Sequence, residues 1–127
     1  MGGLLLQTVL VVEDDDTLRT TICLGLRRCG YRVLEAPDGE HAVALAASLD
    51  TPIDLLMTDV VMPGMDGPRV ASTITRMRPT TRVLFTTGYF DNPSLLDAAN
   101  RHEIHVLLKP FVLSSLCAEV ERILTKD

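Results

Sequence analysis

The stretch Asp54-Leu55-Leu56-Met57-Thr58-Asp59-Val60-Val61-Met62-Pro63-Gly64-Met65-Asp66-Gly67 decides how the rest of the chain is read. Its apolar run is short for a helix, ends in an aspartate, and then breaks at Pro63, Gly64 and Gly67. That is the pattern of a buried strand, expected over Ile53 to Met57, running into a loop. The strand carries Asp59 to its C-terminal tip, so Asp59 is expected to be presented rather than buried. Open α/β sheets bind ligands outside the carboxyl ends of their strands. A lone charged group at that place points to chemistry.

Upstream, Thr8-Val9-Leu10-Val11-Val12 is continuously apolar and β-branched, as in a strand covered on both faces, and it ends in Glu13-Asp14-Asp15-Asp16. With Asp16 as N-cap, Leu18, Ile22, Leu26 and Cys29 recur at helical spacing until Gly30 stops the helix. Tyr31 to Glu35 reads as a second strand. Pro37-Asp38-Gly39 opens a second helix whose face of Ala42, Leu45, Ala46 and Leu49 suits close packing. Downstream, Pro68 fits the first turn of a third helix with Val70, Ile74 and Met77 inward, closed by Pro79.

Arg82 to Thr86 is a fourth strand ending in Thr87-Gly88, and Asn92-Pro93 begins a short fourth helix with few apolar positions. His105-Val106-Leu107-Leu108 is the fifth strand and leads into Lys109-Pro110-Phe111. The last helix carries Leu113, Leu116, Val120, Ile123 and Leu124 on one stripe. Strands and helices that alternate in this way predict an α/β fold: a doubly wound, five-stranded parallel sheet with five helices on its two faces.

The 127 residues suit one domain, and the 46% hydrophobic content excludes a disordered chain. No apolar run approaches the roughly 20 residues of a membrane span. Residues 1–7 lack the features of a signal peptide and read as a short leader or expression remnant, leaving 8–127 as the domain, with a cytoplasmic location. Cys23, Cys29 and Cys117 are odd in number and widely spaced, so they are expected to be thiols with packing roles. A net charge of -5 without a basic cluster argues against a nucleic-acid surface, and His41, His102 and His105 have no zinc-like spacing.

Parallel strand tips share one sheet edge, so Glu13, Asp14, Asp59, Thr87 and Lys109 are expected to converge. Three carboxylates in one pocket repel, and a divalent cation relieves them. Hard oxygen donors with room for water and a phosphate oxygen suit Mg2+, and also Mn2+. A lysine and a threonine hydroxyl opposite the acids could bind further phosphoryl oxygens. A carboxylate beside such a cation can attack phosphorus and form an aspartyl-phosphate.

In combination, four motifs resemble the receiver domain of two-component response regulators from Val9 to Leu124. They are Glu13-Asp14, Asp59 with Met62-Pro63-Gly64-Met65-Asp66-Gly67, Thr87-Gly88, and Lys109-Pro110-Phe111. The resemblance implies the flavodoxin-like strand order 2-1-3-4-5, for which a chemotaxis member of the family is a standard example. It implies that Asp59 is the phosphoacceptor, that Glu13 and Asp14 are the metal pair, and that the Val61 backbone carbonyl completes the metal shell. Thr87 becomes the switch hydroxyl and Lys109 the phosphate-binding lysine, with a cis Lys109-Pro110 bond.

The implied donor is a phosphohistidine on a histidine kinase or phosphotransfer domain. Output would pass through a downstream protein partner, a fused domain or a homodimer, with no direct contact to nucleic acid or membrane. The loop Met62 to Pro68 resembles receivers attached to hybrid histidine kinases.

Two positions depart from the family pattern. Val106 stands three residues before the lysine, where the family usually has an aromatic ring, and Tyr89 places a ring where it could shield an acyl phosphate. Two alternatives remain open on the sequence. One is a pseudo-receiver that keeps the fold as an interaction module, which Val106 would suit. The other is a phosphatase working through an aspartyl-phosphate, for which the non-acidic Val61 is a poor fit.

Overall fold

In the computed structural model, which describes residues 6–88, 97, 98, 101 and 104–125, the two strands expected to be covered on both faces are buried along their full length. These are β1 (Thr8–Val12) and β3 (Leu55–Asp59). Their alternate side chains separate into two cores. Leu10, Val12 and Leu56 face α2 (Gly39–Ser48) and α3 (Gly67–Met77), with Ala42, Ala46, Val70 and Ile74 opposite them. Val9, Val11, Leu55 and Met57 face α1 (Asp16–Arg28) and α4 (Leu113–Thr125), with Ile22, Leu26, Leu116, Val120 and Ile123 against them. Burying two layers of branched aliphatic side chains, at about 25 cal/mol per Å² of apolar surface, is the main force holding the helices to the sheet.

With β2 (Arg32–Ala36), β4 (Arg82–Thr87) and β5 (His105–Leu108), the strands pair in parallel in the order β2-β1-β3-β4-β5. This is the expected flavodoxin-like order. The helix count needs correction. The described residues hold four helices, not five, and the helix expected from Asn92-Pro93 falls mostly on residues 89–96, 99–100 and 102–103, outside those described, as does Tyr89.

Some boundaries also move. β3 begins two residues later than expected because the Asp54 carboxylate accepts the Thr8 amide at 2.7 Å, so the regular ladder opens after it. It runs on to Asp59, which lies opposite Thr86. The N-cap of α1 is Asp15 rather than Asp16, its carboxylate accepting the Leu18 amide at 2.9 Å. After α1, Gly30 takes φ +98, the left-handed turn that releases the chain into β2.

The cysteines do not behave as expected. Cys29, which caps α1, and Cys117, on α4, form a disulfide with Cα atoms 6.6 Å apart, bridging 88 positions of sequence. Sequence spacing could not reveal this, because the two residues meet only once both helices pack on the same face of the sheet. Cys23 is free and buried, and burial pushes its thiol up to about 11.

Reducing the disulfide should cost about 2–4 kcal/mol of stability, a fall of roughly 6–12 °C in Tm for a domain of this size. Calorimetry with and without reductant measures it. Alkylation of the denatured, unreduced protein should label Cys23 alone.

Candidate functional site

Glu13 leaves the end of β1 with its amide donating to the Ala36 carbonyl at the end of β2, 3.2 Å away. Its side chain turns inward and is only 2% exposed. One carboxylate oxygen accepts the Asp15 amide at 3.1 Å and the other accepts the Lys109 ammonium at 2.8 Å. Asp14 beside it is exposed. Asp59 ends β3 with its carboxylate accepting Lys109 Nζ at 3.1 Å. At 8% exposure it is buried, contrary to the expectation that it would stand presented. The lysine above it and the loop beside it cover it.

That loop approaches closely because of one residue. The Gly67 amide donates to the Val60 carbonyl at 2.8 Å, and a Cβ on Gly67 would sit 2.2 Å from the Asp59 carbonyl oxygen. Only glycine fits there. The turn before it uses Gly64 at φ +77, and Asp66 then caps α3 by accepting the Arg69 amide at 2.9 Å. On the other side, the Lys109 amide donates to the Thr87 carbonyl at 2.8 Å, and the Lys109–Pro110 peptide is cis, as the family resemblance implied.

Carboxylate oxygens of Glu13, Asp14 and Asp59 lie within 4.8 Å of one another, an acidic cluster able to hold a divalent cation. Burial raises the Glu13 pKa, and the ammonium of Lys109 and the Asp15 amide pull it back without cancelling the rise. Burial alone would lower Lys109, but its hydrogen bonds to Glu13 and Asp59 outweigh that and hold it above the usual lysine value.

The structure therefore brings Glu13, Asp14, Asp59 and Lys109 together. Thr87 ends β4 beside them and is buried. Val61 follows the strand and is exposed; its apolar side chain offers no ligand atom, so only its backbone could serve the site. The sequence reading missed Arg19, whose guanidinium donates to the Glu13 carbonyl at 2.8 Å. In sequence it is one more charged residue on an amphipathic helix, and no spacing rule singles it out.

Residues 9–121 match the response regulator receiver domain family, and the chain belongs to that family. Within it the chain is closely related to receivers of the CckA type. It is 34% identical over 120 residues to the sensor kinase CckA of Brucella abortus (strain 2308), a match covering 94% of this chain but 13% of that protein. It is also 34% identical over 119 residues to the response regulator receiver protein CpdR of the same organism, covering 94% of this chain and 98% of CpdR.

The crystal structure of the receiver domain from the hybrid histidine kinase CckA superposes with a TM-score of 0.79 at 36% identity, covering 93% of this chain and 99% of that one. The Vibrio cholerae chemotaxis protein CheY4 gives 0.82 at 26% identity, over 94% and 100%. No helix among the described residues is long and apolar enough to cross a membrane.

Because the folded-state pKa of Glu13 is raised, its contribution to stability is full below the ordinary glutamate value of 4.5 and is lost as pH rises through the higher folded value. Lys109 contributes fully below 10.5 and loses that contribution as pH climbs through its raised value. In the metal-free protein, carboxyl NMR should show Glu13 titrating above 4.5, and higher still in Lys109→Ala; a midpoint at or below 4.5 would contradict the assignment. Gly67→Ala should lose about 1–3 kcal/mol in denaturant unfolding, since the strand-tip backbone must shift to admit a methyl group.

Proposed function

We propose that this receiver domain accepts a phosphoryl group on Asp59 from a phosphohistidine. The observation that carries the reading is a lysine ammonium 2.8 Å from Glu13 and 3.1 Å from Asp59, in a cluster whose third carboxylate, Asp14, is exposed. Three hard oxygen donors that close to one another fit Mg2+, and would accept Mn2+. Glu13, Asp14 and Asp59 would hold the ion, with the Val61 backbone carbonyl as a further ligand. When bound, the ion neutralises charge on the transferring phosphoryl oxygens.

The chain's own residues do the rest. An Asp59 carboxylate oxygen attacks phosphorus, the phosphorus–nitrogen bond of the phosphohistidine breaks, and the departing imidazole takes up a proton. Lys109 exchanges its carboxylate contacts for a phosphoryl oxygen, and the Thr87 hydroxyl donates to another. Water later attacks phosphorus in the acyl phosphate and returns free Asp59 and inorganic phosphate. This self-modification is the only catalysis proposed.

Relatedness to the CckA receiver supports a histidine kinase or phosphotransfer domain as donor. The switched face would engage a protein partner or a fused domain, in the cytoplasm. In that reducing compartment the Cys29–Cys117 pair would stand mainly as thiols.

The test is intact-protein mass after incubation with acetyl phosphate and Mg2+. A gain of one phosphoryl group is expected in the native chain, and none in Asp59→Asn or with EDTA. No gain under any condition would sink phosphotransfer and favour the pseudo-receiver.

A further inference from the structure

Asp14 is the member of the acidic cluster whose carboxylate has no hydrogen-bond or ion-pair partner among the described residues. Its place beside Glu13 therefore depends on where the backbone carries it, at the peptide plane that joins it to Glu13. The Glu13 carboxylate is held separately by the Asp15 amide and Lys109, so a shift of that peptide would move Asp14 relative to it. The plane is held at its oxygen by Arg19, whose Nη1 donates to the Glu13 carbonyl at 2.8 Å.

The rest of the guanidinium is held as well. Nη2 donates to Asp16 at 2.7 Å and Nε to Glu35 at 3.3 Å. Glu35, on β2, is braced in turn by Arg27, 3.5 Å away. The Arg19 side chain is only 14% exposed, so its fork stands fixed between the first turn of α1, the strand β2 and the tip of β1. A planar guanidinium can satisfy three acceptors in fixed directions, which a lysine ammonium on a flexible stem cannot reproduce.

We propose that Arg19 is a positioning residue for the divalent cation, holding the Glu13–Asp14 peptide so that both carboxylates face the ion without itself touching it. The inference rests on the metal reading of the cluster given above. Charge alone makes the opposite forecast. A guanidinium near the site repels a cation, so deleting it should tighten binding if Arg19 acts only through its charge. Deleting it should weaken binding if Arg19 acts by holding the peptide.

The experiment is Mn2+ binding to the unphosphorylated protein, followed through the electron paramagnetic resonance signal of the free ion. It compares the native chain with Arg19→Ala and Arg19→Lys. Outer-shell partners of metal ligands typically contribute about 10–100-fold in affinity, so Kd is expected to rise by about 10-fold or more in Arg19→Ala. A smaller rise is expected in Arg19→Lys, which keeps the charge and loses the fork. If Arg19→Ala fails to fold by circular dichroism, the lysine variant decides alone. Unchanged or tighter binding in Arg19→Ala, or native affinity in Arg19→Lys, would overturn the inference. A native chain that binds no Mn2+ would instead overturn the metal reading on which it rests.

Discussion

Lys109 between Glu13 and Asp59 is the contact on which the rest of the structure depends. Two carboxylates about 4 Å apart repel by roughly 4 kcal/mol at the effective dielectric of a protein surface, and both of these are nearly closed off from water. Without a cation, burying them at the tips of neighbouring strands would oppose folding. The lysine that relieves them comes from the end of β5, at the edge of the sheet, and must cross the tip of β4 to reach β3 and β1. Its amide bond to the Thr87 carbonyl holds its backbone against β4 while the side chain makes that reach. The site thus needs four strands in register before it can close.

The same contact explains how one site could have two occupancies. In the metal-free protein the ammonium and the carboxylates satisfy each other, so the pocket is stable without an ion. On the phosphotransfer reading, an ion takes over the carboxylates and frees the lysine for a phosphoryl oxygen. Glu13 and Asp59 would need no further desolvation, because they are already buried and already paired. The exposed carboxylate of Asp14 is the exception, since it has no partner among the described residues to give up.

Much of this was legible in the sequence, and what was missed has particular causes. β1 and β5 were read to the residue, because continuous branched apolar runs bounded by charge or proline admit few other placements. Pro68 announced the first turn of α3 by its backbone chemistry alone. The Cys29–Cys117 pairing and the Arg19 contact were not legible, since each joins elements whose proximity exists only in the folded sheet. The burial of Asp59 was misjudged for a related reason. A strand-tip residue looks exposed until the loop that Gly67 lets approach and the lysine of another strand are both in place.

The family's usual aromatic ring is replaced by Val106, which packs against the core shared with α2 and α3. A side chain of that size and placement cannot swing between buried and exposed states as a ring does. Any change at Lys109 must therefore reach the surface by another route, and the shortest is the chain itself. Only Pro110, Phe111 and Val112 separate Lys109 from the start of α4. Beyond the core it shares with α1, two further contacts tie that helix to it. Leu113 lies against Gly25, where a Cβ would meet it at 3.0 Å, and Cys117 is bonded to Cys29. On the phosphotransfer reading, a pull on Lys109 would be delivered to a helix that is tied to α1 by packing and by that bond. With the disulfide formed, a covalent tie adds to the packing between the two helices; with the thiols reduced, packing alone would hold them together.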